Sequence, residues 1–212
     1  MIDEVKGMYL PLQRRILLRI EEFEIVGKTG SEDDIFTEFI FCMLTPQCRA
    51  RRCWSAVQRL KSKKLLLHGS TTQIADELYD VRFKNNKAKY IIEARNFFTI
   101  QGEIIIKSKI TAFNDAGDAR QWLVQHIKGM GYKEASHFLR NIGRGLDLAI
   151  LDRHIVKNLY LLKVIEKLPT ALPMKLYLDI ERKMKEFAQG VGIPMPHLDL
   201  LLWYKETGEI FK

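Results

Sequence analysis

Cysteine is scarce in this sequence of 212 residues, and its placement excludes two kinds of cysteine-based site. The three cysteines, Cys42, Cys48 and Cys53, lie close together, with no Cys-x-x-Cys pair and no histidine nearby. An odd, low count argues against a disulfide framework and for a reducing compartment. The spacing does not fit a zinc site. No cysteine follows Cys53, so the sequence has no C-terminal four-cysteine cluster.

Glycine, proline and long apolar runs are also in short supply. The 13 glycines and 6 prolines are few for a chain of this length, which favours helices over many short strands. No apolar stretch approaches the length of a membrane-spanning helix. The opening residues, MIDEVKGMYL, lack the basic and apolar regions of a signal peptide. We therefore expect no contact with a membrane.

Basic side chains are abundant instead. The sequence has 34 Lys and Arg against 26 Asp and Glu, a net charge of +8, and its pI is about 9.3. Such an excess fits a polyanionic partner such as nucleic acid. Charge alone does not distinguish a nucleic-acid enzyme from a basic interaction protein.

Apolar residues recur at helical spacing along the whole chain, which predicts an all-α fold. The first helix is predicted to open at Pro11, and Ser31 with Asp34 forms a capping pair at the start of the next. Residues 103–106 are interpreted as a short helix, because a lone strand without a partner is unstable. Asp118 is predicted to cap a helix that leads into the segment described next, and Pro173 to begin a long helix.

The segment from His126 to Asp152 predicts helix, tight turn, helix, loop and a further helix start. Gly129 and Gly131 permit a sharp turn and leave main-chain amides uncovered at a helix N-terminus, where a phosphate can bind. Lys133 lies in the first turn of that helix. A cation is disfavoured there, which makes this lysine a candidate nucleophile. Asp152 is placed to be the N-cap of the next helix.

Each of these features has an ordinary structural interpretation. A Gly-x-Gly turn usually only reverses the chain, a single lysine is usually solvated, and an aspartate before a helix is usually a cap. The combination of Lys133 in the hairpin helix with Asp152 is what favours catalysis.

The sequence GMGYKEASHFLRNIG followed by LAILDRHI resembles the helix-hairpin-helix DNA glycosylases. It is most similar to the archaeal and thermophile 8-oxoguanine DNA glycosylase/AP lyases, the second Ogg family. The resemblance extends to FxxFIFCMLTPQ and NKAKYIIEARNFF. It implies that Lys133 is the Schiff-base nucleophile and that Asp152 is the carboxylate that assists it.

The resemblance also implies an architecture of two helical lobes with a DNA-binding cleft between them. Residues 31–148, including the hairpin, would form the central lobe. Residues 1–30 together with 149–212 would form the second lobe. This arrangement would place Lys133 and Asp152 facing each other at the mouth of the cleft.

Further site residues follow from the same resemblance. DNA-binding positions are Gly129, Gly131 and Gln47, the last of which would probe the gap left by a flipped base. The base pocket would include Trp203, Lys212 and Phe83, although Phe83 is interpreted first as a core residue, because most aromatic side chains are buried. A monovalent cation at the hairpin would be bound by the main-chain carbonyls of Gln125, Ile127 and Met130.

The function implied is a bifunctional DNA glycosylase/AP lyase of base excision repair. It would flip 8-oxoguanine out of duplex DNA, form a Schiff base through Lys133 and cleave the strand by β-elimination. No cofactor and no iron–sulfur cluster are expected. The partner would be double-stranded DNA containing oxidised guanine, and the protein a monomer in the cytoplasm of a prokaryotic cell, with the nucleoid.

Three alternatives stay open at this point. One is an endonuclease III-like glycosylase acting on oxidised pyrimidines, which the missing cysteine cluster and Lys212 disfavour. The second is a non-catalytic helix-hairpin-helix module that only clamps phosphates, which would need neither Lys133 nor Asp152. The third is a basic all-α interaction protein.

Overall fold

The protein is described by a computed structural model that covers residues 2–212, and these residues form twelve helices and one small hairpin. The strands β1 (Thr99–Ile100) and β2 (Glu103–Ile104) pair antiparallel. The helices are α1 (Ile2–Thr29), α2 (Glu32–Leu44), α3 (Ala50–Ser62), α4 (Leu65–His68), α5 (Thr71–Glu77), α6 (Lys84–Phe98), α7 (Ile106–Thr111), α8 (Ala116–His126), α9 (Tyr132–Asn141), α10 (Arg153–Leu161), α11 (Met174–Val191) and α12 (Met195–Thr207). The predicted all-α class is therefore confirmed.

The first helix begins nine residues earlier than predicted. It runs from Ile2 and contains Pro11 in its interior. A proline inside a helix removes one hydrogen bond and costs about 3 kcal/mol. Val5 and Tyr9 are buried on the same face as Leu12, so their burial offsets that cost and the helix continues through the proline.

The predicted helix at 103–106 is wrong, because these residues contribute a strand and a helix start. Ile104 pairs with Thr99, and Glu103 pairs with Ile100. The turn between the strands is Gln101 and Gly102, both with positive φ, as a two-residue hairpin turn requires. The missing partner strand was therefore the immediately preceding segment.

The cap predicted at Asp118 is also displaced. Helix α8 starts at Ala116, and the carboxylate of Asp115 accepts a hydrogen bond from the amide of Asp118 at 3.0 Å. Asp118 is thus the third residue of the helix, where a negative charge favours the helix dipole. The capping pair at Ser31 is confirmed, with the Asp34 amide donating to Ser31 Oγ at 3.2 Å.

Buried apolar side chains form two separate clusters. The first is built from residues between Ile35 and Leu148, joined by Phe211. The second combines residues of α1, from Val5 to Phe23, with residues between Ala149 and Leu202. Helix α9 contributes Phe138 to the first cluster, while its first residue, Tyr132, packs against the second. The hairpin helix therefore contacts both.

The Asp34 carboxylate gives α2 a stabilisation that depends on pH. Its ion pair with Lys61, 2.7 Å away, and its hydrogen bonds to Ser31 lower the pKa of Asp34 from 3.8 to about 2. Because the folded-state pKa is the lower one, the contribution is complete above pH 3.8 and is lost as the pH falls toward 2. We expect Asp34→Asn to lower the free energy of unfolding by about 1 kcal/mol at pH 7. The difference from the native protein should shrink steadily as the pH falls from 3.8 to 2.

Urea denaturation between pH 2 and pH 7 would measure this effect. Asp33→Asn is the control, because Asp33 is exposed in the same helical turn and has no ion pair within the described chain. A constant difference between Asp34→Asn and the native protein across this range would contradict the prediction.

Candidate active site

The predicted hairpin joins α8 to α9 through a turn that requires glycine at one position. Gly129 has a φ of +82°, and a Cβ atom there would lie 2.5 Å from the ring of Tyr90. Both the left-handed backbone and the close contact exclude a larger side chain. Gly131 is extended, with a φ of −98°, and is the N-cap of α9. The helix-hairpin-helix geometry predicted from the sequence is therefore present.

Two of the main-chain amides in this turn already have partners within the protein. The amide of Met130 donates to the Ile127 carbonyl at 3.2 Å, and the amide of Gly131 donates to the carboxylate of Glu134 at 3.2 Å. Glu134 was not singled out from the sequence. Its position three residues after the N-cap, which is typical of a capping box, was the signal available.

The amine of Lys133 lies at the start of α9 between two polar partners. Its Nζ atom is 3.2 Å from Thr45 Oγ1 and 3.0 Å from Glu134 Oε1. The side chain is 22% exposed, so the amine is partly desolvated yet reachable. Thr45 is itself buried and donates to the carbonyl of Cys42. Lys133 therefore points to the end of α2, a neighbour that the sequence pattern did not indicate.

Asp152 is the N-cap of α10, as predicted. Its Oδ1 atom accepts hydrogen bonds from the amides of His154 and Ile155, each at 2.8 Å. Its Oδ2 atom accepts none from residues 2–212, and these residues include no ion pair between Lys133 and Asp152. One carboxylate oxygen thus orients the side chain and the other is available for another group.

A second carboxyl group, that of Asp199, is near enough to Asp152 to be affected by its charge. Asp199 of α12 is buried and faces Arg140 of α9 at 3.6 Å. Burial raises the pKa of Asp199 to about 6; the negative charge of Asp152 raises it too, and Arg140 opposes the rise. The buried pair joins α9 to α12, and sequence reasoning missed it because its two members lie far apart in the chain and meet only through helix packing.

The turn after α2 holds Gln47 out into solvent. The Cys48 amide donates to the Thr45 carbonyl at 3.0 Å, and Gln47 has a φ of +54°, a left-handed conformation that is uncommon outside glycine. The buried Lys87 stabilises this turn by donating to the carbonyls of Leu44 at 2.7 Å and Pro46 at 2.9 Å. Burial lowers the pKa of Lys87.

We expect Lys87→Met to lower the free energy of unfolding by about 2 kcal/mol, because the buried carbonyl of Leu44 and the partly buried carbonyl of Pro46 lose a charged donor. Amide hydrogen exchange should speed up more in the turn at residues 44–48 than in the helices elsewhere in the protein. Lys89→Met is the control, since Lys89 is exposed on the same helix. Equal effects of the two substitutions would contradict this assignment of the turn's stability to Lys87.

The three predicted base-pocket residues lie in different surroundings. Trp203 is half-buried, and its ring meets the ring of His154 edge to face at 5.5 Å. Phe83 is 50% exposed, with the guanidinium of Arg82 over its ring at 4.9 Å. The core interpretation of Phe83 is therefore wrong, because its left-handed backbone turns the side chain outward at the start of α6.

Lys212 belongs with the first apolar cluster and not with Trp203. Its amine pairs with Glu38 and lies 3.7 Å from the ring centre of Trp54. Burial lowers the pKa of Lys212, and Glu38 opposes this shift. The preceding residue, Phe211, is buried in the same cluster. No hydrogen bond, ion pair or ring contact links Lys212 to Trp203 within the described chain.

Other structural features bear on cofactors and membranes. No group of three or more His, Cys, Asp or Glu side chains in residues 2–212 is arranged to hold a metal ion. The carbonyl proposed at Ile127 accepts the Met130 amide, and the cation expected at Gln125, Ile127 and Met130 stays a prediction. No helix in this range is long and apolar enough to cross a membrane.

Solved structures of similar proteins have the same fold. The 8-oxoguanine DNA glycosylase of Thermotoga maritima matches with a TM-score of 0.88 at 31% identity, over 100% of this chain and 98% of that one. The Methanocaldococcus jannaschii 8-oxoguanine glycosylase/lyase in complex with a 15-mer DNA containing 8-oxoguanine matches with a TM-score of 0.90 at 33% identity, over 100% and 99% of the two chains.

Sequence comparisons agree with the structural ones. The 8-oxoguanine DNA glycosylase/AP lyase of Fusobacterium nucleatum is 46% identical over 99% of this chain and 97% of its own length. The enzyme of the same name from Methanocaldococcus jannaschii is 36% identical over 92% of this chain and 90% of its own length. The family model for 8-oxoguanine DNA glycosylases of the Ogg-HhH type matches residues 16–193. The chain therefore belongs to the Ogg-HhH family of 8-oxoguanine DNA glycosylases, as its resemblance to the second Ogg family predicted.

Proposed function

We propose that this protein is a bifunctional DNA glycosylase/AP lyase that removes 8-oxoguanine from double-stranded DNA in base excision repair. The observation that supports this most is the position of the Lys133 amine. It lies at the N-terminus of the hairpin helix, 3.2 Å from Thr45 Oγ1 and 3.0 Å from Glu134 Oε1. A module that only clamps phosphates needs no partly buried amine at that place. The relatives that match almost the whole chain are named as enzymes of this class.

We propose further that the two apolar clusters are the cores of two lobes that grip DNA between them. The lobes would be residues 31–148 and residues 1–30 with 149–212, although Phe211 packs with the first cluster. The net charge of +8 favours a polyanion through release of its counterions. The amides between Gly129 and Lys133 would bind a backbone phosphate, chiefly those of Gly129, Tyr132 and Lys133, because the amides of Met130 and Gly131 donate to Ile127 and Glu134. Gln47 would enter the space left by the extruded nucleotide.

The chemistry proposed for Lys133 begins with loss of its proton, and the nearest carboxylate is that of Glu134. The amine then forms a bond to C1′ of the sugar while the glycosidic bond breaks, and the base leaves with the bonding electrons and takes up a proton. Ring opening gives an imine. Removal of a proton from C2′ then forms a double bond between C2′ and C3′. The bond between C3′ and its phosphate oxygen breaks, and the phosphate leaves with the bonding electrons, which nicks the strand. Asp152 would stabilise the positive charge that develops on the sugar.

The base would be received by Trp203, Lys212 and Phe83. Trp203 has His154 as its neighbour and Lys212 has Trp54, so the two side chains would contact different parts of the base. A monovalent cation bound by the hairpin carbonyls would support the phosphate site. We propose that the reaction needs no cofactor, and that the protein acts as a monomer in the prokaryotic cytoplasm.

Borohydride reduction of the reacting complex tests this function. The protein is mixed with a duplex containing one 8-oxoguanine opposite cytosine, reduced, and digested, and the modified peptide is identified by mass spectrometry. We expect the reduced sugar on Lys133, and neither on Lys87 nor on Lys212, whose amines are also partly or fully buried. A duplex with guanine in place of 8-oxoguanine is the control and should give no adduct.

Other results would overturn parts of the proposal. An adduct on a different lysine would show that the wrong amine was assigned. An adduct formed only with oxidised pyrimidines would favour an endonuclease III-like specificity. Binding of every duplex without any adduct or strand cleavage would identify a non-catalytic clamp.

A further inference from the structure

Two of the three residues that lead into Asp152 are held by side chains of α11. Tyr177 Oη donates to the carbonyl of Ala149 at 2.6 Å and accepts from the amide of Leu151 at 3.2 Å. Glu181, one helical turn further on, accepts from the amide of Ala149 at 2.7 Å. Both main-chain groups of Ala149 and the amide of Leu151 are thus bound by two side chains, and all four residues are buried.

The same two side chains connect this segment to the hairpin helix. Arg120 of α8 forms a bidentate ion pair with Glu181, at 2.6 and 2.9 Å. Its guanidinium lies near the ring of Tyr132, at 5.3 Å, and near the ring of Tyr177, at 5.7 Å. The rings of Tyr132 and Tyr177 are 5.4 Å apart. Tyr132 immediately precedes Lys133, so a single buried network reaches the neighbours of both predicted catalytic residues.

Burying the charged side chains of this network costs desolvation energy, and apolar side chains could fill the same space without that cost. Arg120 and Glu181 expose only 5% and 7% of their side chains, and replacing such a buried pair by apolar residues is often neutral or stabilising. Its members also bind the backbone at one specific place, the entry to Asp152. The arrangement therefore indicates a requirement for geometry.

We infer that Tyr177, Glu181 and Arg120 are positioning residues that set the Asp152 carboxylate relative to the Lys133 amine. The inference rests on the proposed function of Asp152 and Lys133. It adds the residues that fix the position of one relative to the other. A displacement of about 1 Å between reacting groups is enough to lower a rate about 100-fold. Removing the hydroxyl of Tyr177 breaks the hydrogen bonds to the carbonyl of Ala149 and the amide of Leu151. The backbone just before Asp152 can then move, and the carboxylate of Asp152 moves with it.

Tyr177→Phe tests the inference with the loss of one oxygen atom. We expect the single-turnover rate of 8-oxoguanine excision to fall about 10- to 100-fold, while the Kd for the lesion duplex changes less than about twofold. The matched control is Tyr9→Phe. Tyr9 is buried in the same cluster, and its hydroxyl bonds to His197 Nδ1 at 2.9 Å. Both variants lose one buried hydrogen-bonding hydroxyl, but only Tyr177 contacts the segment before Asp152.

A double-mutant cycle separates positioning from general loosening of the fold. If Tyr177 acts through Asp152, then Tyr177→Phe should slow an Asp152→Asn protein by less than about threefold, because the group being positioned is already altered. Equal slowing in both backgrounds would overturn the inference, as would a Tyr177→Phe rate no lower than that of Tyr9→Phe.

The failure of the proposed function would look different. In that case the native protein itself would not excise 8-oxoguanine. Hydrogen exchange of the main-chain amides of Ala149 and Leu151 would then still test whether Tyr177 holds this segment. Tyr177→Phe should speed exchange at Leu151, and Tyr9→Phe should not. Unchanged exchange at Leu151 would show that Tyr177 does not hold this segment.

Discussion

Lys133→Gln is expected to lower the single-turnover rate of 8-oxoguanine excision on the order of 10⁴-fold or more, the scale at which loss of a nucleophile acts. Glutamine is one bond shorter than lysine and uncharged, but it keeps a polar end on the side facing Thr45, which lies 3.2 Å from the lysine amine. It cannot form a bond to C1′ that becomes an imine. Borohydride should therefore trap no adduct, and the Kd for the lesion duplex should weaken only through the loss of one charge.

Lys128→Gln is the matched control for this experiment. Lys128 lies in the same hairpin, its side chain is 64% exposed, and its ion pair with Glu93 at 3.4 Å is on the surface. Its loss removes the same charge and should weaken binding in a salt-dependent way, with the chemical rate nearly unchanged. Retention of strand cleavage by Lys133→Gln would show that another amine is the nucleophile.

Asp152→Asn is expected to slow base excision by about 10²- to 10⁴-fold, because the charge that would stabilise the developing cation is lost. The amide oxygen of asparagine can still accept the hydrogen bonds of the His154 and Ile155 amides, which now reach Oδ1 at 2.8 Å. Thermal stability should therefore change little. The variant should still form a trappable imine with a preformed abasic site, because the Lys133 amine is intact.

A comparison with Asp152→Ala separates the two roles of this residue. Alanine removes both the charge and the N-cap, so the free energy of unfolding should fall by about 1 kcal/mol. The rate of base excision should fall by the same factor as in Asp152→Asn. If Asp152→Asn retained the native rate while Asp152→Ala did not, Asp152 would be only a helix cap.

The parts of this fold that were predictable from sequence are those governed by neighbouring residues. Ser31 with Asp34 and Asp152 with α10 are caps, in which a side chain meets amides two or three residues away. Gly129 was predictable for a similar reason, since its left-handed backbone conformation is required by the tight turn in which it lies. The family also followed from local sequence, because GMGYKEASHFLRNIG combines the turn with the lysine.

Long-range packing explains two of the errors. Pro11 stays inside α1 because Val5 and Tyr9 are buried against helices from the other end of the chain. Phe83 was interpreted as core because it is aromatic, and its exposure depends on the fold around α6. Two errors were local. Asp118 was predicted as the cap of α8 in place of Asp115, because two aspartates three residues apart both fit a helix start. Residues 103–106 were predicted as a helix, although the strand that pairs with Glu103 and Ile104 lies just before them.

The sequence alone determined the helical class, the hairpin, the family and the two residues on which the proposed chemistry rests, because each depends on residues close together in the chain. Only the tertiary structure decided what surrounds them. Thr45 is 88 positions from Lys133, and Glu181 is 32 positions from Ala149. Contacts over such separations are set by how whole helices pack, and no spacing along the chain encodes them.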